Sequence, residues 1–252
     1  MDMGRQPSSA IVIGGGSGIG RAAVLALAAT GTRVWAAARD GARLERVRNE
    51  ATGPGEVLTR PLDATDAAAT DRLIDEADPD LIVLSAGART RLALVHEQTW
   101  ESFSAPWNTD LKIAFQVGQS AIWRPLRPGS LVIIVSSGAG LGGSPLSGGY
   151  AGAKRMQMFL AGYLQRSADA AKLGIRFLAL VPKQVVAGTE LGAAVADAYA
   201  ALGGITREKF MERFGKPLTA EEIARTIVAV ARGEIGREGN ILGVSGEGTE
   251  PL

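Results

Sequence analysis

The chain has 252 residues, with 27 Lys plus Arg against 26 Asp plus Glu, one His and no Cys. Balanced charge argues against nucleic acid or an anionic membrane as partner, the absent thiols exclude disulfides and thiolate chemistry, and the single His96 leaves no His cluster for zinc. No apolar run approaches a membrane span and the polar start holds no apolar signal core, so the expectation is a soluble cytoplasmic protein with a substantial core.

Met1 to Ser9 is a polar start expected to fray. Ala10-Ile11-Val12-Ile13 is a short apolar run of strand length. It stops at Gly14-Gly15-Gly16-Ser17-Gly18-Ile19-Gly20, after which Arg21 to Ala29 is a strong helix former. A glycine-rich turn between a buried strand and a helix N-terminus exposes backbone N–H groups where a phosphate can sit, and glycine removes the Cβ that would block it. The spacing fits neither G-x-G-x-x-G nor a P-loop, which needs a following Lys-Ser or Lys-Thr. Alone the loop is also compatible with an ordinary glycine turn.

Strand and helix alternate from there. Strands are expected over Thr32–Ala38, Glu56–Leu62, Asp80–Ser85, Ser130–Ser136, Ile175–Val181 and Asn240–Val244. Helices are expected over Gly41–Ala51, Ala67–Ala77, Pro106–Trp123, Tyr150–Ala171 and from a Thr219 cap to Arg232. The stretch 183–215 reads as irregular and partly helical. No repeat, low-complexity tract or linker divides the chain. The pattern predicts one α/β domain over residues 1–252: a doubly wound, Rossmann-type parallel sheet of about seven strands with helices on both faces. Ligands of such sheets bind beyond the carboxyl ends of the strands.

Tyr150 and Lys154 stand at i and i+4, on one face of their helix. A lysine cation beside a phenol favours the phenolate, which makes the tyrosine a usable general acid or base. Ser137, just past a buried strand, is placed to hydrogen-bond a carbonyl oxygen alongside it. A lone Tyr-x-x-x-Lys reads more readily as a surface pair; the glycine turn and the strand-end serine tip the reading towards a site.

These residues together resemble the short-chain dehydrogenase/reductase family, in its single-domain form, over nearly the whole chain. Gly14 to Gly20 is similar to T-G-x-x-x-G-I-G with Ile13 where Thr is usual, Ser85-Ala86-Gly87 to the end of N-N-A-G, and Ser137, Tyr150 and Lys154 to the catalytic set. The resemblance implies NAD(P)(H)-dependent interconversion of a carbonyl and an alcohol on a small molecule. It implies a pyrophosphate held by Gly14, Ser17, Gly18, Ile19 and Gly20, and adenine beside Asp63 and Ala64. The remaining cofactor contacts would be Ala86, Gly87, Tyr150, Lys154, Pro182, Val185 and Thr189. Arg39, next to Ala38 at the usual acidic position, suits a 2′-phosphate and favours NADP(H) over NAD(H). Asp110 stands where the family has an Asn in a proton relay, Lys183 where it has Gly; Lys183 and Gln184 are candidates to touch substrate. The segment 183–215 is expected to be a substrate lid lined by Leu191, Val195, Tyr199 and Leu202, and a homodimer or homotetramer is implied. The alternative is a cofactor-binding regulator or scaffold that turns over weakly.

Overall fold

The computed structural model describes residues 6–252. Its centre is a sheet in the order β10-β9-β6-β5-β4-β1-β2-β3. The strands are β1 (Ser9–Ile13), β2 (Arg33–Ala38), β3 (Val57–Pro61), β4 (Leu81–Leu84), β5 (Leu131–Val135), β6 (Arg176–Pro182), β9 (Ile241–Ser245) and β10 (Gly248–Pro251). All pairings are parallel except β9 with β10. A separate two-stranded pair joins β7 (Val186–Ala187) to β8 (Leu218–Thr219). The order reverses between β1 and β4, and a doubly wound sheet opens its ligand crevice at that point.

The central strands are apolar on both sides because both sides are covered. Ile11 and Ile13 face one core with α3 (Ala67–Ala77), α5 (Lys112–Trp123) and α7 (Gly148–Ala170). Ala10 and Val12 face the other with α1 (Gly18–Ala29), α2 (Gly41–Glu50) and α10 (Ala220–Ala231). Helix starts follow the side-chain chemistry: Asp40 Oδ1 accepts from Arg43 N at 3.0 Å, and Thr219 with Glu222 forms a reciprocal capping box.

The structure departs from the sequence reading in four places. Gln6 to Ser9 is ordered rather than frayed: Asp80 Oδ2 accepts from the backbone of Ser8 at 2.7 Å, and Ser9 opens β1; Met1 to Arg5 lie outside the described residues. The main sheet has eight strands, not about seven. The extra one, β10, is fully exposed, has no apolar alternation, and is placed by the two-residue Gly246-Glu247 turn after β9. The helix expected over Pro106–Trp123 is α4 (Trp100–Pro106), a π-helical turn over Trp107–Leu111, and α5. Pro106 removes one N–H from the helical ladder, and the irregular turn follows it. Finally, 183–215 is more ordered than expected, carrying β7, α8 (Glu190–Leu202) and α9 (Arg207–Met211). Among the described residues no helix is long and apolar enough to cross a membrane.

Candidate active site

Four strand exits converge at the sheet's carboxyl edge. Gly14 has φ +90°, and a Cβ there would stand 2.5 Å from Ala86 N, so the turn after β1 lies directly on the exit of β4. A side chain at Gly20 would run into the Gly14 carbonyl oxygen. The turn is therefore closed on itself by backbone, which no other residue type permits. One strand further, Gly138 N donates to Pro182 O at 2.7 Å, joining the exits of β5 and β6.

Each candidate has a definite place on this edge. Ser17 precedes α1, is exposed, and its hydroxyl makes no cap bond. Ile19 offers only its backbone to the cleft, because its side chain packs on Ala220 and Ala224 of α10. Arg39 is exposed at the end of β2 and has no ion pair among the described residues. Asp63 Oδ1 accepts from Thr65 N at 2.9 Å and Thr65 Oγ1 at 2.8 Å. These bonds hold its carboxyl below the usual aspartate value, so it is ionised at neutral pH. Ala64, beside it, is buried in the core, so what it offers the cleft is backbone.

The Tyr150–Lys154 pair lies on the first turns of α7, with Lys154 Nζ 5.4 Å from the centre of the Tyr150 ring. Lys154 is buried and forms an ion pair with the equally buried Asp110, Nζ to Oδ2 at 3.1 Å. Its third partner is Val135 O, which accepts from Nζ at 3.1 Å. Asp110 Oδ1 accepts from Ala88 N at 2.7 Å, and its carbonyl, in the π-helical turn, accepts from Gln157 Nε2 at 3.0 Å. Burial alone would lower the Lys154 pKa; the Asp110 carboxylate and Tyr150 outweigh it and hold the ammonium above its ordinary value. Gly87 touches the same carboxylate: a Cβ there would stand 2.8 Å from Asp110 Oδ2. Asp110 thus ties three things together: the lysine, the loop after β4 and α7.

Two anchors escaped the sequence reading. Ser136 Oγ donates to Lys154 O at 2.7 Å, pinning α7 to the end of β5. Tyr199 Oη is bonded to Ser144 and accepts from Leu146 N at 3.1 Å, while its ring stacks on Phe210 at 5.7 Å. Ser137, the sequence candidate beside Ser136, accepts from Ala139 N at 3.2 Å and is half-buried.

The remaining candidates have contacts of their own. Thr189 Oγ1 donates to Val186 O at 2.9 Å and accepts from Gly192 N at 3.0 Å, so its hydroxyl caps α8; its methyl faces Gly18. Val185 packs with Ala196, Ala200 and Phe210 inside the 183–215 segment. Pro182 ends β6 and is buried. Lys183 does not reach into the cleft but pairs with Glu250 of β10, and Gln184 bridges Lys216 O and Gly246 N. Leu191 and Leu202 are both exposed. His96 is exposed. A separate polar hollow of ≈ 630 Å³ opens at the amino ends of the strands, between Ser8, Arg33, Glu56, Glu76 and Arg127, and its arginines pair with their own carboxylates.

Similarity to known proteins follows the same lines. L-xylulose reductase of Mesocricetus auratus is 35% identical over 119 residues, 47% of this chain and 48% of that protein. The matched region thus spans about half the length of that relative. The 3-oxoacyl-(acyl-carrier-protein) reductase FabG of Thermotoga maritima is 30% identical over 249 residues, 94% of this chain and 95% of that protein. The solved structure of NAD+-bound xylitol dehydrogenase shares the fold with a TM-score of 0.82 at 19% identity, covering 94% of this chain and 97% of that one. The short chain dehydrogenase family model matches residues 8–200. The chain belongs to the short chain dehydrogenase family.

Proposed function

We propose that the chain is an oxidoreductase that interconverts a carbonyl and an alcohol on a small molecule with a nicotinamide dinucleotide, NADP(H) in preference to NAD(H). The observation that carries this is the Tyr150–Lys154–Asp110 cluster at the exit of β5, beside a glycine turn that only backbone can fill. Names among the relatives point the same way, two of them being reductases.

The residues fit the dinucleotide. Gly14 to Gly20 leaves a side-chain-free floor at the N-terminus of α1 for the pyrophosphate, and Ser17 keeps a free hydroxyl there. Arg39 supplies an unpaired guanidinium at the ribose end, and Asp63 an ionised carboxylate. When bound, the nicotinamide supplies the hydride. In the reductive direction the Tyr150 hydroxyl donates the proton to the substrate oxygen, and the Ser137 hydroxyl hydrogen-bonds that oxygen and orients it. Lys154 places a fixed positive charge under the Tyr150 ring; Asp110 and Ser136 hold it there. The segment 183–215 covers the cleft as a lid, with Tyr199 fastening it to the loop 144–147. Trp100 and Trp123, 78% and 74% exposed, together with Phe115, Phe159 and Tyr163, leave an apolar surface on α4, α5 and α7 that suits a homo-oligomer.

One observation favours a second reading, a cofactor-binding protein that turns over weakly: the Lys154 charge is already neutralised by Asp110. NADPH oxidation over a panel of ketones, aldehydes and quinones, with Tyr150→Phe beside the wild type, separates the two. Turnover that Tyr150→Phe removes supports the enzyme; tight NADPH binding with no turnover on any substrate supports the second reading.

A further inference from the structure

At the ribose end of the glycine turn, three elements meet over Gly16. A Cβ on Gly16 would stand 3.3 Å from Arg43 Cβ and 3.7 Å from Ala38 Cβ, so the end of β2 and the first turn of α2 form two walls of one corner. Arg39 lies at the mouth of that corner, one residue past β2. Arg43 does not simply point to solvent. Its Nη1 lies 2.8 Å from Glu190 Oε1, and its Nε 3.4 Å from Asp40 Oδ2. Glu190 is the first residue of α8, and Thr189 before it touches the turn at Gly18. The Arg43–Glu190 pair is thus a polar tie between the lid and the cofactor turn, and it crosses the place where the adenosine ribose of a dinucleotide lies in such a sheet.

We infer that Arg43 is a specificity-determining residue for the cofactor 2′-phosphate, and that Glu190 competes with that phosphate for the same guanidinium. The inference rests on the NADP(H) reading. Arg43 brings no free charge to the corner, because Asp40 and Glu190 already face it, whereas Arg39 has no ion pair among the described residues. Arg43 takes a phosphate only by exchanging one anion for another. That exchange is downhill: the side chains of Arg43 and Glu190 are 33% and 69% exposed, and a pair so placed is weak. A phosphate carries more charge than a carboxylate and presents three oxygens to the planar guanidinium fork. The substitution also joins cofactor to lid, because the residue released, Glu190, begins α8.

Adenosine 2′,5′-bisphosphate and AMP differ only at the 2′-phosphate and need no nicotinamide or substrate, so their dissociation constants, measured by calorimetry on the full chain, isolate the corner. Wild type binds the bisphosphate more tightly than AMP. Arg43→Gln weakens the bisphosphate about tenfold and leaves AMP within about twofold, as expected for one charge-assisted contact. Glu190→Gln tightens the bisphosphate up to about fivefold, the upper range of an exposed pair. That gain vanishes in the Arg43→Gln background, since the competitor then has nothing to compete for. Arg43 and Glu190 are surface side chains, and unchanged AMP affinity certifies that each variant is folded. If Arg39→Gln abolishes the bisphosphate preference while Arg43→Gln keeps it, the NADP(H) reading stands and the Arg43 inference falls. If wild type shows no preference at all, both fall. A Glu190→Gln gain that persists without Arg43 overturns the competition.

Discussion

The two walls of the cleft are built from different materials. On one side the glycine turn is backbone packed on backbone: Gly14 against Ala86, Gly20 against the Gly14 carbonyl, with no side chain between them. On the other side the segment 183–215 is held at a few points, by the Tyr199 hydroxyl, the Arg43–Glu190 pair and the short β7–β8 pairing. Between the walls lies the Asp110–Lys154 pair, buried and bonded on all sides. Backbone contacts of this kind are either made or lost, whereas a few polar ties on an exposed segment break one at a time. The first wall therefore has one shape, and the proposed lid has fewer ties to lose.

The sharpest way to break this contrast is to make the same substitution on both walls. Gly20→Ala puts a methyl into the Gly14 carbonyl and should cost at least about 3 kcal/mol, with ADP binding lost. Gly204→Ala, in the 183–215 segment, meets nothing within 4 Å; its only cost is the φ of +61°, about 1–2 kcal/mol. Thermal melts followed by circular dichroism check both. Equal losses would mean that the turn is no more rigid than the lid.

The middle of the cleft gives the next effect. Asp110→Ala leaves the buried Lys154 ammonium without its carboxylate and should destabilise by about 3–5 kcal/mol; Asp110→Asn, which still presents an oxygen, should cost less. The sign of the pH dependence follows from the raised Lys154 pKa. The stabilisation is fully present below the unfolded lysine value of 10.5 and is lost only as pH rises through the still higher folded value. Denaturant melts should therefore show a difference between wild type and Asp110→Ala that is flat from pH 7 to about pH 10 and shrinks above it. A difference that shrinks at lower pH would place the neutralisation elsewhere.

How much of this the amino-acid sequence discloses differs between the walls for the same physical reason. The glycine turn is legible because its constraint is local: a strand-length apolar run, glycines and a helix former lie within twenty residues. The Tyr150–Lys154 spacing is legible because one helix fixes it. The Asp110–Lys154 pairing is legible only through the resemblance, which sets Asp110 in the relay to the lysine; nothing in a periodic apolar pattern marks the π-helical turn after Pro106 that carries it. Lid contacts are least legible of all. Tyr199 reads only as an apolar lining residue until its hydroxyl is seen on the loop 144–147, and nothing in the spacing of Thr189 shows that it also caps α8. β10 is hidden because an exposed edge strand needs no apolar alternation.

Tyr199→Phe tests the lid tie directly. It removes the hydroxyl that meets Ser144 and Leu146 N but keeps the ring on Phe210, and should cost about 1–2 kcal/mol. Limited proteolysis should show the loss as faster cleavage near Gly203 and Gly204, where α8 ends. Unchanged cleavage would mean that the β7–β8 pairing and the Arg43–Glu190 pair hold the segment without the hydroxyl.

The smallest expected effect belongs to Lys183, the residue that stands where the family has glycine. Its ammonium is paired with Glu250 on β10, at a position where both side chains are more than a third exposed. Such a pair contributes little after screening, so Lys183→Ala should change stability by less than about 1 kcal/mol, and less still at high salt. The pair belongs to the β9–β10 edge of the sheet, and Gln184 is tied to the same edge through Gly246. If Lys183 serves only that edge, Lys183→Ala keeps the wild-type ranking of kcat/KM across a panel of carbonyl substrates. A variant that loses one class of substrate, such as anionic ketones, while its melting temperature stays put would show that the ammonium swings from Glu250 into the cleft during turnover, and the second wall of the cleft would then extend one residue further than its resting contacts.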